Sequence, residues 1–241
     1  MRLGYTLLLI LLFLAARLNA QPELRIGLHL SAPWSFYNAD AQLDGIEYQL
    51  VSRIFQRAGY QPKYELHSYS RLLKQFADKK LDCASPVAVN IDGASYTAPY
   101  LPFKDVALSL ADKQLALTSL TQLATKRIVA YQQARQILGP EFNQVIAQAS
   151  YVEMAERERQ LELLLNDRVD VVIGEQRVLL YLAAQLSPLQ QLTVHELFAE
   201  QAYPAACWQP ELTAIFNAGM QQMRQSGELQ QILAQYPLLP H

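Results

Sequence analysis

The sequence is short of charge, of cysteine and of basic clusters. Only 17% of its 241 residues are Asp, Glu, Lys or Arg, against roughly 25% in an average soluble domain. Lys and Arg number 20 against 22 Asp and Glu, and no basic run exceeds the Lys79-Lys80 pair. Binding a nucleic-acid backbone needs clustered cations that release counterions, so a nucleic-acid partner is excluded. Cys83 and Cys207 are the only cysteines, and His29, His67, His195 and His241 are scattered. No metal-ligand spacing results, so neither a metal nor a cofactor is expected. The two thiols are compatible with one disulfide or with two small buried hydrophobes. Long apolar runs are missing except for Leu7–Ala16, which is shorter than the ~20 residues of a membrane span. With Arg2 before it and Leu18-Asn19-Ala20 after it, residues 1–20 read as a signal peptide cleaved after Ala20, with an uncleaved anchor as the alternative, and the mature chain is expected in the periplasm.

What is present is hydrophobic patterning, in a chain that is 51% hydrophobic and long enough for a substantial core. Leu24, Ile26, Leu28 and Leu30 alternate as in a strand, whereas Ile46, Leu50, Val51, Ile54, Phe55 and Ala58 recur at helical spacing up to Gly59. A strand over Lys63–His67, a helix with Leu72, Leu73, Phe76 and Ala77 inward, and a strand over Leu81–Val89 complete a β-α-β-α-β unit with parallel strands. The second unit has strands at Arg127–Tyr131, Tyr151–Glu153 and Val169–Ile173. Its helices fall at Gln133–Leu138, ended by Gly139-Pro140, then at Met154–Asn166 and Glu175–Leu186. The charges Glu156, Arg157, Glu158 and Arg159 read as a solvated helix face. Tyr100–Leu110 and Glu200–Trp208 connect the units, and Pro210–Tyr236 is a helical tail broken at Gly227.

The expected architecture is therefore α/β with two lobes, each a mostly parallel sheet flanked by helices. Residues 21–104 and 201–241 make the first, residues 105–200 the second, and two crossing segments form a hinge. Such sheets bind ligands beyond the carboxyl ends of their strands, which predicts a small-molecule cleft between the lobes.

An ordered set of motifs narrows this further. It runs Leu24-Arg25-Ile26-Gly27, Ala32-Pro33-Trp34-Ser35-Phe36, Leu43-Asp44-Gly45-Ile46-Glu47-Tyr48-Gln49-Leu50, Leu81-Asp82-Cys83-Ala84, Tyr96-Thr97-Ala98-Pro99-Tyr100, and Asp167-Arg168-Val169-Asp170-Val171-Val172-Ile173-Gly174-Glu175. Over almost all of Leu24–Tyr236, this order resembles the family 3 extracellular solute-binding proteins, which deliver polar amino acids and related molecules to ABC transporters. The resemblance implies the type II two-lobed periplasmic-binding fold, a monomer, a small polar ligand, and ABC membrane subunits as partners. It implies binding rather than catalysis.

Carried over residue by residue, the resemblance makes Trp34 the cleft aromatic and Glu175 the acid that faces a ligand ammonium. Tyr69 and Ser85 fall in cleft-facing regions, with Glu47 and Tyr100 nearer the lobe junction. The family's carboxylate-binding Arg after the third strand has no counterpart, since Val89–Ser95 offers Asp92 and no cation. Its Gly-Thr or Gly-Ser pair in the second lobe is replaced by Gln133-Ala134-Arg135. Arg135 is the candidate substitute, with an exposed helix residue as its plainer reading. An amine-like ligand thus fits as well as an amino acid. Two further readings remain open: a cyclohexadienyl-dehydratase-like enzyme with Glu175 as its acid, and a ligand sensor without a transporter.

Overall fold

Period-two alternation buries Leu24, Ile26 and Leu28 and leaves Arg25 in solvent, which fixes β1 (Glu23–His29) as a strand with one face in the core. The computed structural model describes residues 21–236, so the signal-peptide reading of residues 1–20 lies outside the described residues. After β1 come β2 (Phe36–Tyr37), β3 (Leu43–Asp44), α1 (Ile46–Arg57), β4 (Gln61–His67), α2 (Tyr69–Ala77), β5 (Cys83–Ser85) and β6 (Ser95–Tyr96). β7 (Leu101–Phe103) and β8 (Asp105–Leu110) carry the chain into a second sheet. There follow β9 (Arg127–Tyr131), α3 (Ala134–Ile137), α4 (Gly139–Ile146), β10 (Ser150–Met154), α5 (Arg157–Leu165), β11 (Val171–Glu175), α6 (Gln176–Leu186) and β12 (Leu192–His195). β13 (Gln201–Tyr203) returns beside β7, β14 (Ala206–Cys207) re-enters the first sheet, and α7 (Pro210–Gln225) and α8 (Glu228–Ala234) close the chain.

The two sheets have the orders β4-β1-β5-β14-β6 and β10-β9-β11-β8-β12. β1 is parallel to β4 and β5, and β9 to β10 and β11, as the alternating pattern requires. Each crossing between lobes inserts one strand in the opposite direction: β8 runs antiparallel to β11 and β12, and β14 to β5 and β6. On the first sheet, Leu24, Ile26 and Leu28 share a core with Leu50, Ile54 and Phe55 of α1 and Phe216 and Met220 of α7. Ile128, Ala130, Val171 and Ile173 pack with Phe142 and Ile146 of α4 on one face of the second.

Several boundaries differ from the sequence pattern for identifiable reasons. The strand expected over Leu81–Val89 stops at Ser85 because Pro86 has no N–H for the ladder, and the Val87 N–H turns to the Pro204 carbonyl at 2.9 Å. Gly139, with φ +88°, ends α3 as expected, and Gly139-Pro140 also starts a further helix, α4, since a proline in the first turn forfeits only an N–H with no helical partner. α5 begins at Arg157, because residues 150–154 are spent pairing with β9. Cys83 and Cys207 stand directly opposite each other on β5 and β14 and form a disulfide, which decides between the two readings of the thiols.

Gly45 fixes the loop that carries Trp34. Its φ is +122°, and a Cβ there would lie 2.3 Å from the Trp34 carbonyl oxygen. That close approach lets the N–H groups of Ile46 and Glu47, which have no partner within α1, donate to the carbonyls of Pro33 and Trp34 at 2.9 and 2.8 Å. The aromatic loop is thereby held against the start of α1.

Candidate functional site

In the second sheet the parallel strands β10, β9 and β11 end where the reversed strand β8 begins, so four side chains gather along one edge. In strand order they are Arg157 just after β10, Tyr131 at the end of β9, Glu175 at the end of β11 and Asp105 at the start of β8. Glu175 and Asp105 are register partners. The Tyr131 hydroxyl donates to Asp105 Oδ2 at 2.8 Å, and the Arg157 guanidinium lies over the Tyr131 ring, 4.9 Å from its centroid.

The first lobe meets this edge through its own strand ends and the aromatic loop. Trp34, 2% exposed, donates its indole N–H to Glu175 Oε2 at 3.0 Å, a hydrogen bond from one lobe to the other. The same oxygen accepts the Val178 N–H at 2.9 Å, capping α6. The Trp34 ring packs on Phe103 at 4.6 Å with the Arg177 guanidinium 6.0 Å from its centroid. Arg177 in turn donates to the Tyr236 carbonyl at 3.1 Å. His29, at the end of β1, packs edge-on against Tyr69 at 5.6 Å.

Burial dominates the electrostatics. It pushes the Glu175 carboxyl up to about 7, although the Val178 and Trp34 hydrogen bonds favour the ionised form. It also raises Asp105, against the pull of the Tyr131 hydroxyl and of Arg157. His29 falls to about 4 through burial and then through the charge of Arg157, which reaches it from the second lobe. Burial works against the charge on Arg157 itself.

A titration follows from Glu175. A carboxyl whose folded pKa of about 7 exceeds its unfolded value of about 4.5 favours the folded state most below pH 4.5, and that contribution is lost as pH rises through 7. Between pH 5 and 7.5 the wild type is expected to lose on the order of 2 kcal/mol that Glu175→Gln retains. Urea unfolding of both proteins at several pH values measures this, and parallel profiles would contradict it.

The residues singled out in the sequence fall into three places. Trp34 and Glu175 bond directly, and Tyr69 lines the first-lobe side with His29, its hydroxyl taking the Ala88 N–H at 2.9 Å. Ser85 is interior: its hydroxyl donates at 2.6 Å to Glu47, which is fully buried and also accepts from Tyr100. Burial raises the Glu47 pKa. Arg135 lies in a lateral recess of about 640 Å³, with its guanidinium 5.2 Å from the Tyr151 ring centroid. There the Glu153 carboxylate accepts the N–H groups of Gln133 and Arg135 at 2.8 and 2.9 Å, so one of the protein's own acids occupies the start of α3. Asp105, Tyr131 and Arg157 were not singled out. Their signal was positional, each flanking a strand at the same sheet edge.

The family model for bacterial extracellular solute-binding proteins, family 3, matches residues 24–238. The chain belongs to this family. No curated protein matches it at a significant level. Among solved structures, the GluR0 ligand-binding core in complex with L-glutamate superposes with a TM-score of 0.76 at 19% identity, covering 90% of this chain and 99% of that one. An amino acid ABC transporter substrate-binding protein from Streptococcus pneumoniae, AbpA, bound to L-arginine, gives 0.74 at 20% identity over 89% and 94%. A histidine kinase sensor domain similar to periplasmic binding proteins gives 0.75 at 17% identity over 90% and 96%. The fold is thus the two-lobed periplasmic-binding-protein fold, and family 3 proteins are extracellular binders of small molecules. Among the described residues no helix is long and apolar enough to cross a membrane.

Proposed function

We propose that this family 3 member is a periplasmic binding protein, not an enzyme, that closes two lobes around a small polar ligand, an amino acid or an amine-like molecule. Residues 21–104 with the segment from 201 to 236 form one jaw and residues 105–200 the other. The observation that carries the reading is the Trp34–Glu175 hydrogen bond between the lobes, set beside Asp105, Tyr131 and Arg157 at one sheet edge and facing His29 and Tyr69. Closure of this kind shifts a population toward the ligand-bound form. The closed monomer would then be presented to the membrane subunits of an ABC transporter. L-glutamate in GluR0 and L-arginine in AbpA illustrate ligands that this fold holds.

A thermal-shift screen against amino acids, amines, polyamines and small carboxylates tests the proposal. Ligand at a hundredfold excess over its Kd stabilises a folded protein by about 2.7 kcal/mol, which raises the melting temperature of a chain this size by about 5–10 °C. A shift with one chemical class supports a binder, and no shift with any class contradicts it. A second reading is favoured by one observation, the Glu175 carboxyl near 7, which suits a general acid. One structural relative is an ancestral amino acid-binding protein described as a precursor of cyclohexadienyl dehydratase. Turnover of prephenate that is lost in Glu175→Gln would favour that enzyme.

A further inference from the structure

We infer that Arg157 is the anion anchor of the cleft, so that the ligand carries a carboxylate and places it on the second lobe at the start of α5. This rests on the reading of the cleft as a binding site and fixes one end of what it holds. The Tyr131 ring supports the guanidinium at 4.9 Å from its centroid. Arg157 Nη1 is buried without a hydrogen-bond partner, and among the described residues no acid forms an ion pair with it. A guanidinium carries five donors and no acceptor, so a carboxylate, whose two oxygens match the fork, is the group that completes it.

Two further features point the same way. Arg157 is the first residue of α5, at the positive end of the helix dipole, where a cation is unfavourable and an anion is favoured. The position therefore works against Arg157 alone and in favour of Arg157 with a bound anion. The neighbouring cations are committed elsewhere: Arg177 donates to the Tyr236 carbonyl, and Arg135 sits in the lateral recess. Along the edge, Arg157 and the Glu175–Asp105 pair stand on opposite sides of Tyr131. The acids are thus placed for a hydrogen-bond-donating end of the same ligand.

Calorimetric titration with probe pairs that differ by one carboxylate tests this: L-arginine and agmatine, L-histidine and histamine, L-tyrosine and tyramine, with succinate and benzoate as acids lacking an amine. Binding is expected to follow the carboxylate. Arg157→Gln should weaken the best probe by about 30-fold or more, and Arg157→Lys should recover only part of that because it lacks the fork. Arg159→Gln, on the exposed side of the same helix, should bind as wild type. Without probe, Arg157→Gln should melt within about 3 °C of wild type, since no ion pair or Nη1 hydrogen bond is lost. If that variant does not fold, Arg157→Lys carries the test, with unchanged affinity as the contrary result. Amines that bind as tightly as their parent acids, or Arg157→Gln within about threefold of wild type, would overturn the inference and leave the cleft reading standing. If no probe binds wild type, both fall together.

Discussion

Reducing the Cys83–Cys207 bridge is expected to lower the melting temperature by about 10–15 °C. The bridged residues are 124 apart in sequence, and the loop they close contains the whole second sheet. In the chain-entropy account, closing a loop of about 100 residues restricts the unfolded chain by roughly 4.7 kcal/mol. At this size each kcal/mol moves the midpoint by about 2–4 °C. The bridge also ties β14 to β5, the point at which the chain re-enters the first sheet from the second lobe. Melts of the wild type with and without reductant, and of the double variant Cys83→Ser, Cys207→Ser, measure the effect. Reduced and oxidised proteins melting within about 3 °C of each other would show that the bridge carries little of the stability.

Trp34→Ala is expected to cost about 3–5 kcal/mol, the range for removing a large buried aromatic, and to abolish detectable ligand binding. Trp34 is 2% exposed, packs on Phe103, and supplies the indole N–H that reaches Glu175 from the other lobe. Trp34→Phe separates the two roles. It keeps most of the ring packing and removes only the hydrogen bond, so about 0.5–1.5 kcal/mol is expected below pH 7, where Glu175 is protonated, and about 1.5–3 kcal/mol above it, where the acceptor is charged. Chemical unfolding of the three proteins checks this order, with the cost of Phe below that of Ala. Equal stability of wild type and Trp34→Phe would mean that the cross-lobe bond contributes nothing.

The fold was legible because periodicity and strand order survive in sequence. Leu24, Ile26 and Leu28 on β1 and the helical spacing of Ile46–Phe55 are where the pattern puts them. The reversed strands were less legible, since β14 is two residues long and acquires its direction from the route of the chain. At the site, Trp34 and Glu175 were found by motif, and they meet. In sequence, Arg157 is one of four consecutive charges that fit a solvated helix face. Its register against the end of β10 aims it at the sheet edge, and only the tertiary arrangement places Tyr131 beneath it. Arg135 drew attention by replacing a family position, but Glu153, eighteen residues on, fills the start of α3. That pairing depends on β10 lying beside β9, which no local pattern encodes.

The chain has two tryptophans, and they report on different places: Trp34 lies between the lobes, while Trp208 stacks on Phe76 of α2 in the first lobe. The most direct measurement is therefore a fluorescence titration of Trp208→Phe, which leaves Trp34 as the sole indole, with whichever probe binds by calorimetry. A ligand held in the cleft must change the Trp34 emission with the calorimetric Kd. Calorimetric binding with no change in Trp34 emission would place the ligand elsewhere, for example in the recess around Arg135, and contradict the cleft as the functional site.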